Sequence, residues 1–392
     1  MPATATSLNP PKLLALWLAL LVALAPFALD CYLPAIPTIA KAFGEPVAYV
    51  QSSLSTYLLG FVIGQFIAGP IADQRGRKIV AALGLMLFAV ASLAITQSTN
   101  AMELGAWRFV QALGGGAVAV VPAAIIRDHY DGVKAAKVFA LVALITMAAP
   151  LVAPLIGASL LSAFHWSAIF IFLAAYALIV CLIFSLNVPE TQTEHKQALQ
   201  WGQALRGYKK VLSHIEGRRF IFLQAGSFSL MLTFITGSPF VYMSYFEVSP
   251  ELYSILFGCN IVVMIAANRC NAFMLNHMQP FTILKWGAAI QFVAVIGLVL
   301  LALSSSSLWL MVPLNAIAVG MMGLVGSNST MGALSHFKPI AGTATALMGI
   351  LNYGAGGFAG LLLSAVKPET ALPMAVVMCC CSAVAFYYSR KV

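Results

Sequence analysis

Two ionisable residues lie inside segments that are otherwise apolar. Asp30 stands in FALDCYLPAIP, near the end of an apolar run that begins at Leu13, and Arg108 stands in LGAWRFVQALGGGA. A charged side chain at the centre of a membrane costs about 2.5–3.5 kcal/mol even on the mildest scale, so such residues tend to mark ion or proton pathways. Burial disfavours the ionised form of Asp30, whereas a nearby cation such as Arg108 favours it. The two residues therefore predict a proton-binding site that responds to small rearrangements.

Simpler roles for this pair remain open. Arg108 lies about 8 Å inside its predicted helix, at 1.5 Å per residue, and a long side chain at that depth could extend to the membrane surface. Asp30 and Arg108 could also form a static ion pair that only fixes helix packing.

The other chemistry-bearing residues form no catalytic pattern. The six histidines and seven cysteines have no metal-ligand spacing, and most of the cysteines lie in apolar segments. We find no Ser–His–Asp arrangement and no Walker motif. We therefore expect no enzyme activity, no metal, no cofactor and no use of ATP.

The elements that position these residues are predicted to be membrane helices. The chain is 61% hydrophobic and 8% charged, whereas soluble domains carry about 25% charged residues. A spanning helix needs about 20 apolar residues. The sequence thus predicts an all-α membrane protein with twelve transmembrane helices near residues 13–37, 48–70, 79–98, 104–126, 138–160, 165–187, 219–246, 252–275, 281–302, 307–331, 341–364 and 368–389.

The basic residues predict the orientation of these helices. Of the 21 lysines and arginines, Lys41 and Lys367 fall in predicted outer loops and Arg108 falls inside a helix, which leaves 18 on the side of the N-terminus. Lys and Arg concentrate in cytoplasmic loops. We therefore expect a multi-pass protein of the bacterial inner membrane with both termini in the cytoplasm. The net charge of +9 then needs no nucleic-acid partner.

A polar stretch divides the predicted helices six and six. We expect an N-terminal six-helix bundle over 1–187, a cytoplasmic linker over 188–218 that forms a short amphipathic helix, and a C-terminal six-helix bundle over 219–392. Two pseudo-symmetric six-helix bundles around a central loop resemble the architecture of the major facilitator transporters.

The loop between helices 2 and 3 reads GPIADQRGRK and resembles a signature of that superfamily, G-x-L-A-D-R-x-G-R-K. It departs from the signature at Ile71 and Gln74 and matches it at Gly69, Ala72, Asp73, Gly76, Arg77 and Lys78. We expect Gly69 and Gly76 to permit a tight reversal and Asp73 to favour the positive end of helix 3. The resemblance implies a conformational latch between the halves, formed by Gly69, Asp73, Gly76 and Arg77. An ordinary positive-inside loop would explain the basic residues but not their spacing.

Helices 4 and 5 carry two further signatures in altered form. RFVQA resembles R-F-x-Q-G and keeps Arg108 and Gln111, which implies that Arg108 lines the central cavity beside Asp30. APLVAPLIGASL resembles the antiporter signature G-P-x-x-G-G and keeps Pro154 and Gly157, although alanines replace the flanking glycines.

Three phrases resemble one branch of the superfamily more closely. LDCYLPAIP, AGTATAL and GFAGLLLS are similar to the Bcr/CflA drug:H⁺ antiporters. The resemblance covers both halves and implies proton-coupled efflux of small, largely apolar antibiotics, such as amphenicols or bicyclomycin, by alternating access. Export of an endogenous metabolite or siderophore, and a proton-independent facilitator, remain open as alternatives.

The candidate substrate-binding residues are polar, aromatic or flexible side chains inside predicted helices. They are Asp30, Tyr57, Gln111, Met147, Phe234, Tyr242 and Asn260. Met and aromatic side chains suit an adaptable apolar pocket, but packing within the bundle explains each of them singly at least as well. The expected partners are a small-molecule drug or metabolite, protons and the lipid bilayer, and nothing in the sequence indicates an assembly larger than a monomer.

Overall fold

Helices make up nearly all of the described chain. The structure, a computed structural model, describes residues 13–130, 132–190, 201–304, 307–337, 340–366 and 370–392. Twelve helices in these ranges are long and apolar enough to cross a membrane, as predicted. In chain order, the membrane-crossing spans of helices 1 to 12 are Leu14–Phe43, Val47–Ala72, Arg77–Ile95, Ala101–Ile126, Lys137–Ala163, Ser167–Asn187, Ile215–Tyr245, Pro250–Met274, Pro280–Ser304, Leu308–His336, Ala341–Ala365 and Leu372–Ser389. Helix 2 continues beyond its span to Arg75, and helix 4 continues to His129.

Helix 1 is interrupted directly after Asp30. It consists of an α-helical part, Leu14–Asp30, a 3-10 turn, Leu33–Ala35, and a second α-helical part, Ile36–Phe43. Pro34 has no backbone N–H, so the carbonyl group of Asp30, four residues earlier, cannot receive the usual helical hydrogen bond. The expectation of one continuous helix over 13–37 is therefore corrected, because the helix breaks at Asp30 and ends at Phe43.

We call helices 1 to 6 the first half and helices 7 to 12 the second half, and most of the packing lies within each half. Helix 4 packs against helices 2 and 3, helix 6 against helix 3, and helix 5 against helix 1. In the second half, helix 7 packs against helices 10, 11 and 12, and helix 9 packs against helix 12. Helix 7 begins at Ile215, four residues before the predicted start of the C-terminal bundle.

Two helix pairs join the halves. Helix 2 packs along helix 11, where Gly357 lies against Leu58. Helix 5 packs against helix 8, and the hydroxyl group of Ser254 donates a hydrogen bond to the carbonyl oxygen of Pro154 at 3.0 Å. The 3-10 turn of helix 1 also contacts helices 7 and 8. Asp30 therefore lies next to the junction of the two halves.

The two ends of the bundle differ in how the halves meet. We call the end that carries Arg75 and Lys78 the basic end and the other the opposite end. At the basic end, the final parts of helices 4 and 10, Val121–His129 and Met322–His336, pack mainly against helices of their own half. The bond from Ser254 to Pro154 lies one turn from the start of helix 8, at the opposite end.

The linker contains the short helix that was predicted. It runs from Trp201 to Ser213, and its Tyr208 ring lies 6.1 Å from the Phe66 ring of helix 2. Residues 191–200 of the predicted linker, the first residues of predicted helix 12, and Lys12, Lys196, Lys338 and Lys367 of the charge pattern lie outside the described residues.

Candidate functional site

Arg108 is a fully buried cation inside the first half. Its side chain is 0% exposed, so it does not extend to the membrane surface. One guanidinium nitrogen, Nη1, donates to the carbonyl oxygen of Ala28 at 3.0 Å and to Oε1 of Gln111 at 2.6 Å. The guanidinium carbon lies 4.3 Å from the ring centre of Tyr57 and 4.9 Å from that of Tyr32. Cation–π contacts within about 6 Å stabilise a desolvated cation, so aromatic rings surround the charge where a carboxylate would be expected.

Asp30 is buried and is not bound to Arg108. The side chain is 3% exposed, and its Oδ1 has no hydrogen-bond partner among the described residues. In the same part of the chain no ion pair joins Asp30 to Arg108. A static ion pair is therefore not what fixes these helices in this structure.

The surroundings of Asp30 belong to both halves. The 3-10 turn that follows it, Leu33–Ala35, contacts helix 5 of the first half and helices 7 and 8 of the second half. Asp30 is also the last residue of a helical part, where the helix dipole is negative. Burial, the dipole and the missing hydrogen bond all favour a neutral, protonated carboxyl group at this place.

Gln111 is engaged within the first half. Its Oε1 accepts from Arg108, and its Nε2 donates to Oγ of Ser92 at 2.7 Å. Ser92 in turn donates to the carbonyl oxygen of Phe88 at 2.7 Å. This chain of hydrogen bonds runs from helix 3 through helix 4 to helix 1 and holds the guanidinium group of Arg108 in place. In this structure Gln111 supports Arg108, and its amide group is not free for a substrate.

The loop between helices 2 and 3 reverses at Gly76. Gly76 has a φ of 105°, which favours glycine, and the next helix begins at Arg77. Gly69 lies inside helix 2, so it does not make the reversal that was expected of it. Asp73 lies in the last turn of helix 2 and not at the start of helix 3, which corrects the second expectation. The side chain of Asp73 lies outside the described residues. Glu190, which the sequence interpretation missed, accepts hydrogen bonds from the backbone N–H groups of Arg77 and Lys78 at 2.8 and 3.0 Å.

Arg77 is bound within the first half. Its guanidinium group forms an ion pair with Asp128 at the end of helix 4. It also approaches the carbonyl oxygen of Ala124 at 3.5 Å. The loop therefore ties together the ends of helices 3, 4 and 6 at the basic end. The sequence interpretation also missed Asp128. Its position directly after Arg127, at the predicted end of helix 4, could have indicated a charged contact there.

The helix 5 motif contacts helix 1 and helix 8. Gly157 lies against the backbone carbonyl group of Cys31, so closely that a Cβ atom there would collide with it. Three residues earlier, the carbonyl oxygen of Pro154 accepts the hydrogen bond from Ser254. Pro154 and Gly157 thus position the segment that follows Asp30 and join it to the second half.

The candidate residues of the second half form a buried aromatic cluster. The Phe234 ring stacks on Phe257 at 5.8 Å and meets Tyr242 edge-on at 6.2 Å. The hydroxyl group of Tyr242 accepts a hydrogen bond from Asn315 at 3.3 Å. Asn260 donates to carbonyl groups of its own helix, and its Oδ1 has no partner among the described residues. Each of these side chains is at most 1% exposed.

Met147 and Tyr57 differ in exposure. Met147 is half-buried in helix 5. Tyr57 is fully buried below Arg108, and its hydroxyl group has no partner in the described chain. The structure thus brings Asp30, Arg108 and Tyr57 together, whereas Phe234, Tyr242 and Asn260 form a separate group in the second half.

Known proteins resemble this chain along nearly its whole length. The family model of the major facilitator superfamily matches residues 18–388. A bicyclomycin resistance protein homolog of Haemophilus influenzae is 32% identical over 377 residues, covering 95% of each chain. A multidrug resistance protein, MdtL, of Citrobacter koseri is 30% identical and covers 91% of this chain and 89% of its own.

The fold is also found among solved structures. The xylose transporter XylE of Escherichia coli, in a partially occluded inward-open conformation, superimposes with a TM-score of 0.75 at 14% identity, covering 96% of each chain. The family model, the identities of 32% and 30% and the twelve membrane-crossing helices together establish the family. This chain belongs to the major facilitator superfamily and is a membrane transporter rather than an enzyme.

Proposed function

We propose that this protein exports drugs across the bacterial inner membrane in exchange for protons. Two of its relatives are named as a bicyclomycin resistance protein homolog and a multidrug resistance protein, and these names support drug export. The concentration of Lys and Arg at the basic end supports an orientation with that end and both termini in the cytoplasm. The protein acts as a monomer, composed of an N-terminal bundle over 1–187 and a C-terminal bundle over 219–392.

The observation that carries proton coupling is the state of Asp30. A buried carboxyl group without a cationic partner, at the broken end of a helix, is neutral unless water reaches it. Opening of the halves brings water to the carboxyl group and allows proton exchange with one side. Broken helices at the contact between repeats commonly form the binding sites of transporters.

The contact between helices 5 and 8 indicates to which side the described conformation opens. The conformation described here has the bond between helices 5 and 8 near the opposite end, so we assign it to the state that opens toward the cytoplasm. When the halves part at the basic end, water reaches Asp30, the carboxyl group releases its proton and drug binds. When they part at the opposite end, a proton replaces the drug. Each pH unit across the membrane provides about 1.4 kcal/mol, and each net charge moved provides about 2.3 kcal/mol per 100 mV.

Arg108 contributes to the protonation and deprotonation of Asp30, and Gln111 holds its guanidinium group in place. Its guanidinium group binds the carbonyl oxygen of Ala28, two residues before Asp30 in the last turn of the first α-helical part of helix 1. Its charge favours the ionised carboxyl group once the carboxyl group approaches. We propose that Asp30 and Arg108 move together or apart as helix 1 rearranges around its break.

The drug site lies between the halves. We propose that Asp30, Tyr57 and Met147 form its wall in the first half and that Phe234, Tyr242 and Asn260 form it in the second, with Gln111 positioning Arg108. We also propose that Gly69, Asp73, Gly76 and Arg77 form the latch at the basic end. Pro154 and Gly157, the antiporter motif of helix 5, join helices 1 and 8 near the opposite end.

Transport in proteoliposomes tests this function. The purified protein is reconstituted with a pH-sensitive dye inside, and an amphenicol or bicyclomycin is added with and without a proton gradient. We expect substrate-driven proton movement in the wild type and none in Asp30→Asn, because the amide group cannot carry a proton. Glu251→Gln, which neutralises an exposed carboxylate in the first turn of helix 8, is the matched control and should behave as the wild type.

Three outcomes would contradict the proposal. Proton movement that persists in Asp30→Asn would exclude Asp30 as the coupling residue. Substrate movement without protons in all three proteins would indicate a facilitator. A siderophore or endogenous metabolite that drives proton movement where antibiotics do not would replace the drug as substrate.

A further inference from the structure

Four aromatic rings connect the two halves beside Asp30. The ring centres of Tyr57 and Phe61, both in helix 2, are 6.2 Å apart, and those of Phe61 and Tyr353 in helix 11 are 4.8 Å apart. The Tyr353 ring lies 5.2 Å from that of Phe228 in helix 7. These separations fall within the 4.5–7 Å range of favourable aromatic pairs. We call Tyr57, Phe61, Tyr353 and Phe228 the aromatic bridge.

Tyr353 is the central member of the bridge and keeps a free surface. It is half-buried, whereas Phe61 is 2% exposed. It stands at the middle of helix 11, twelve residues from Ala341 and twelve from Ala365. Its hydroxyl group has no hydrogen-bond partner among the described residues.

Tyr353 lies where helix 11 packs against helix 2 of the other half. Helix 2 covers helix 11 on both sides of this residue, since Gly349 lies against Gln65 and Gly357 against Leu58. A ring so placed faces the drug site proposed above.

We infer that Tyr353 determines specificity for substrates that carry an aromatic ring, by offering a stacking surface at the centre of the aromatic bridge. The inference rests on the proposed function and adds the chemical class of substrate. An aromatic ring that enters between the halves and reaches Tyr353 gains a ring–ring contact with it. A substrate without such a ring finds the same apolar area but gains no ring–ring contact. The expected preference is about 2- to 10-fold in affinity.

Binding to the purified protein tests this inference separately from transport. Dissociation constants are measured for an amphenicol, which carries a phenyl ring, and for bicyclomycin, which carries none. The variants are Tyr353→Leu, which removes the ring, and Tyr353→Phe, which keeps it. Tyr387→Leu, an exposed tyrosine of helix 12 outside the bridge, controls for the loss of a tyrosine.

We expect the wild type to bind the amphenicol more tightly than bicyclomycin. Tyr353→Leu should weaken amphenicol binding about 2- to 10-fold and change bicyclomycin binding by less, whereas Tyr353→Phe and Tyr387→Leu should keep the wild-type ratio. A wild type without an aromatic preference, or an equal loss for both compounds in Tyr353→Leu, would overturn the inference. If the preference depends on Tyr353 but no protons move in the liposome assay, the inference stands and the proposed exchange fails.

Discussion

Gly360 of helix 11 lies directly against the hydroxyl group of Ser55 in helix 2. A Cβ atom at Gly360 would collide with that oxygen and would also approach Thr236 of helix 7 at 3.2 Å. Gln51, one turn before Ser55, donates to the carbonyl oxygen of Thr236 at 2.6 Å. Three helices from both halves therefore meet at a point where only glycine leaves enough room.

Gly360→Ala should open this junction. The added methyl group forces helices 2 and 11 apart, so the state with the halves closed near Ser55 loses stability relative to the state open at the opposite end. Spin labels at Lys41 and Glu247, both exposed, report the separation of the halves there by pulsed electron resonance. We expect a larger fraction of long distances in Gly360→Ala.

Gly354→Ala is the matched control for this change. It lies in the same helix, and nothing would lie within 4 Å of its Cβ atom. It gains the same helix propensity, about 1 kcal/mol, without a collision. An equal distance shift in both variants would assign the effect to helix propensity and would contradict the packing argument.

Ser92→Ala should destabilise the first half. Ser92 is 0% exposed and receives the hydrogen bond of Gln111, so its removal leaves a buried amide N–H group without its partner. We expect a loss of about 1–3 kcal/mol in the free energy of unfolding, measured by denaturant titration in detergent. Ser55→Ala provides the comparison, because Ser55 is equally buried but its hydroxyl group has no partner in the described chain. Equal losses in the two variants would exclude a role for the bond to Gln111.

The ion pair of Arg77 and Asp128 should appear as coupling in a double-mutant cycle. Both side chains are partly exposed, so we expect a coupling energy of about 0.5–1 kcal/mol between Arg77→Gln and Asp128→Asn. The measurement is the unfolding free energy of the four proteins, and the coupling should fall at high salt. Strictly additive effects would mean that each residue acts through other partners.

Gly157→Ala should impair transport through helix 1. The new methyl group would meet the backbone carbonyl group of Cys31, which cannot move without displacing the break beside Asp30. We expect a reduced maximal rate of substrate-driven proton movement, with protein that still inserts and unfolds cooperatively.

Gly258→Ala is the comparison for Gly157→Ala. Its methyl group would meet only the end of the Leu151 side chain, at 3.2 Å, and a flexible side chain can move aside. A rate equal to that of Gly157→Ala would show that any added methyl group near helices 5 and 8 slows transport, whatever backbone it meets.

The sequence by itself determined the number of helices and their approximate bounds. Hydropathy suffices for this because a membrane leaves the backbone of an apolar segment only a helix. The presence of Asp30 and Arg108 in apolar segments likewise indicated the candidate proton-coupling site. The break in helix 1 was also available in the sequence, since Pro34 stands four residues after Asp30.

The tertiary structure alone decided how these residues meet. Similar depth in the membrane suggested that Arg108 contacts Asp30, but helix rotation directs the guanidinium group to Ala28, Gln111 and the tyrosine rings. The contact of Phe61 with Tyr353 depends on the pairing of helices 2 and 11. Hydropathy in a single sequence does not encode which faces of two distant helices pack together, because the lipid is as apolar as the side chains and the helices associate by close packing and hydrogen bonds.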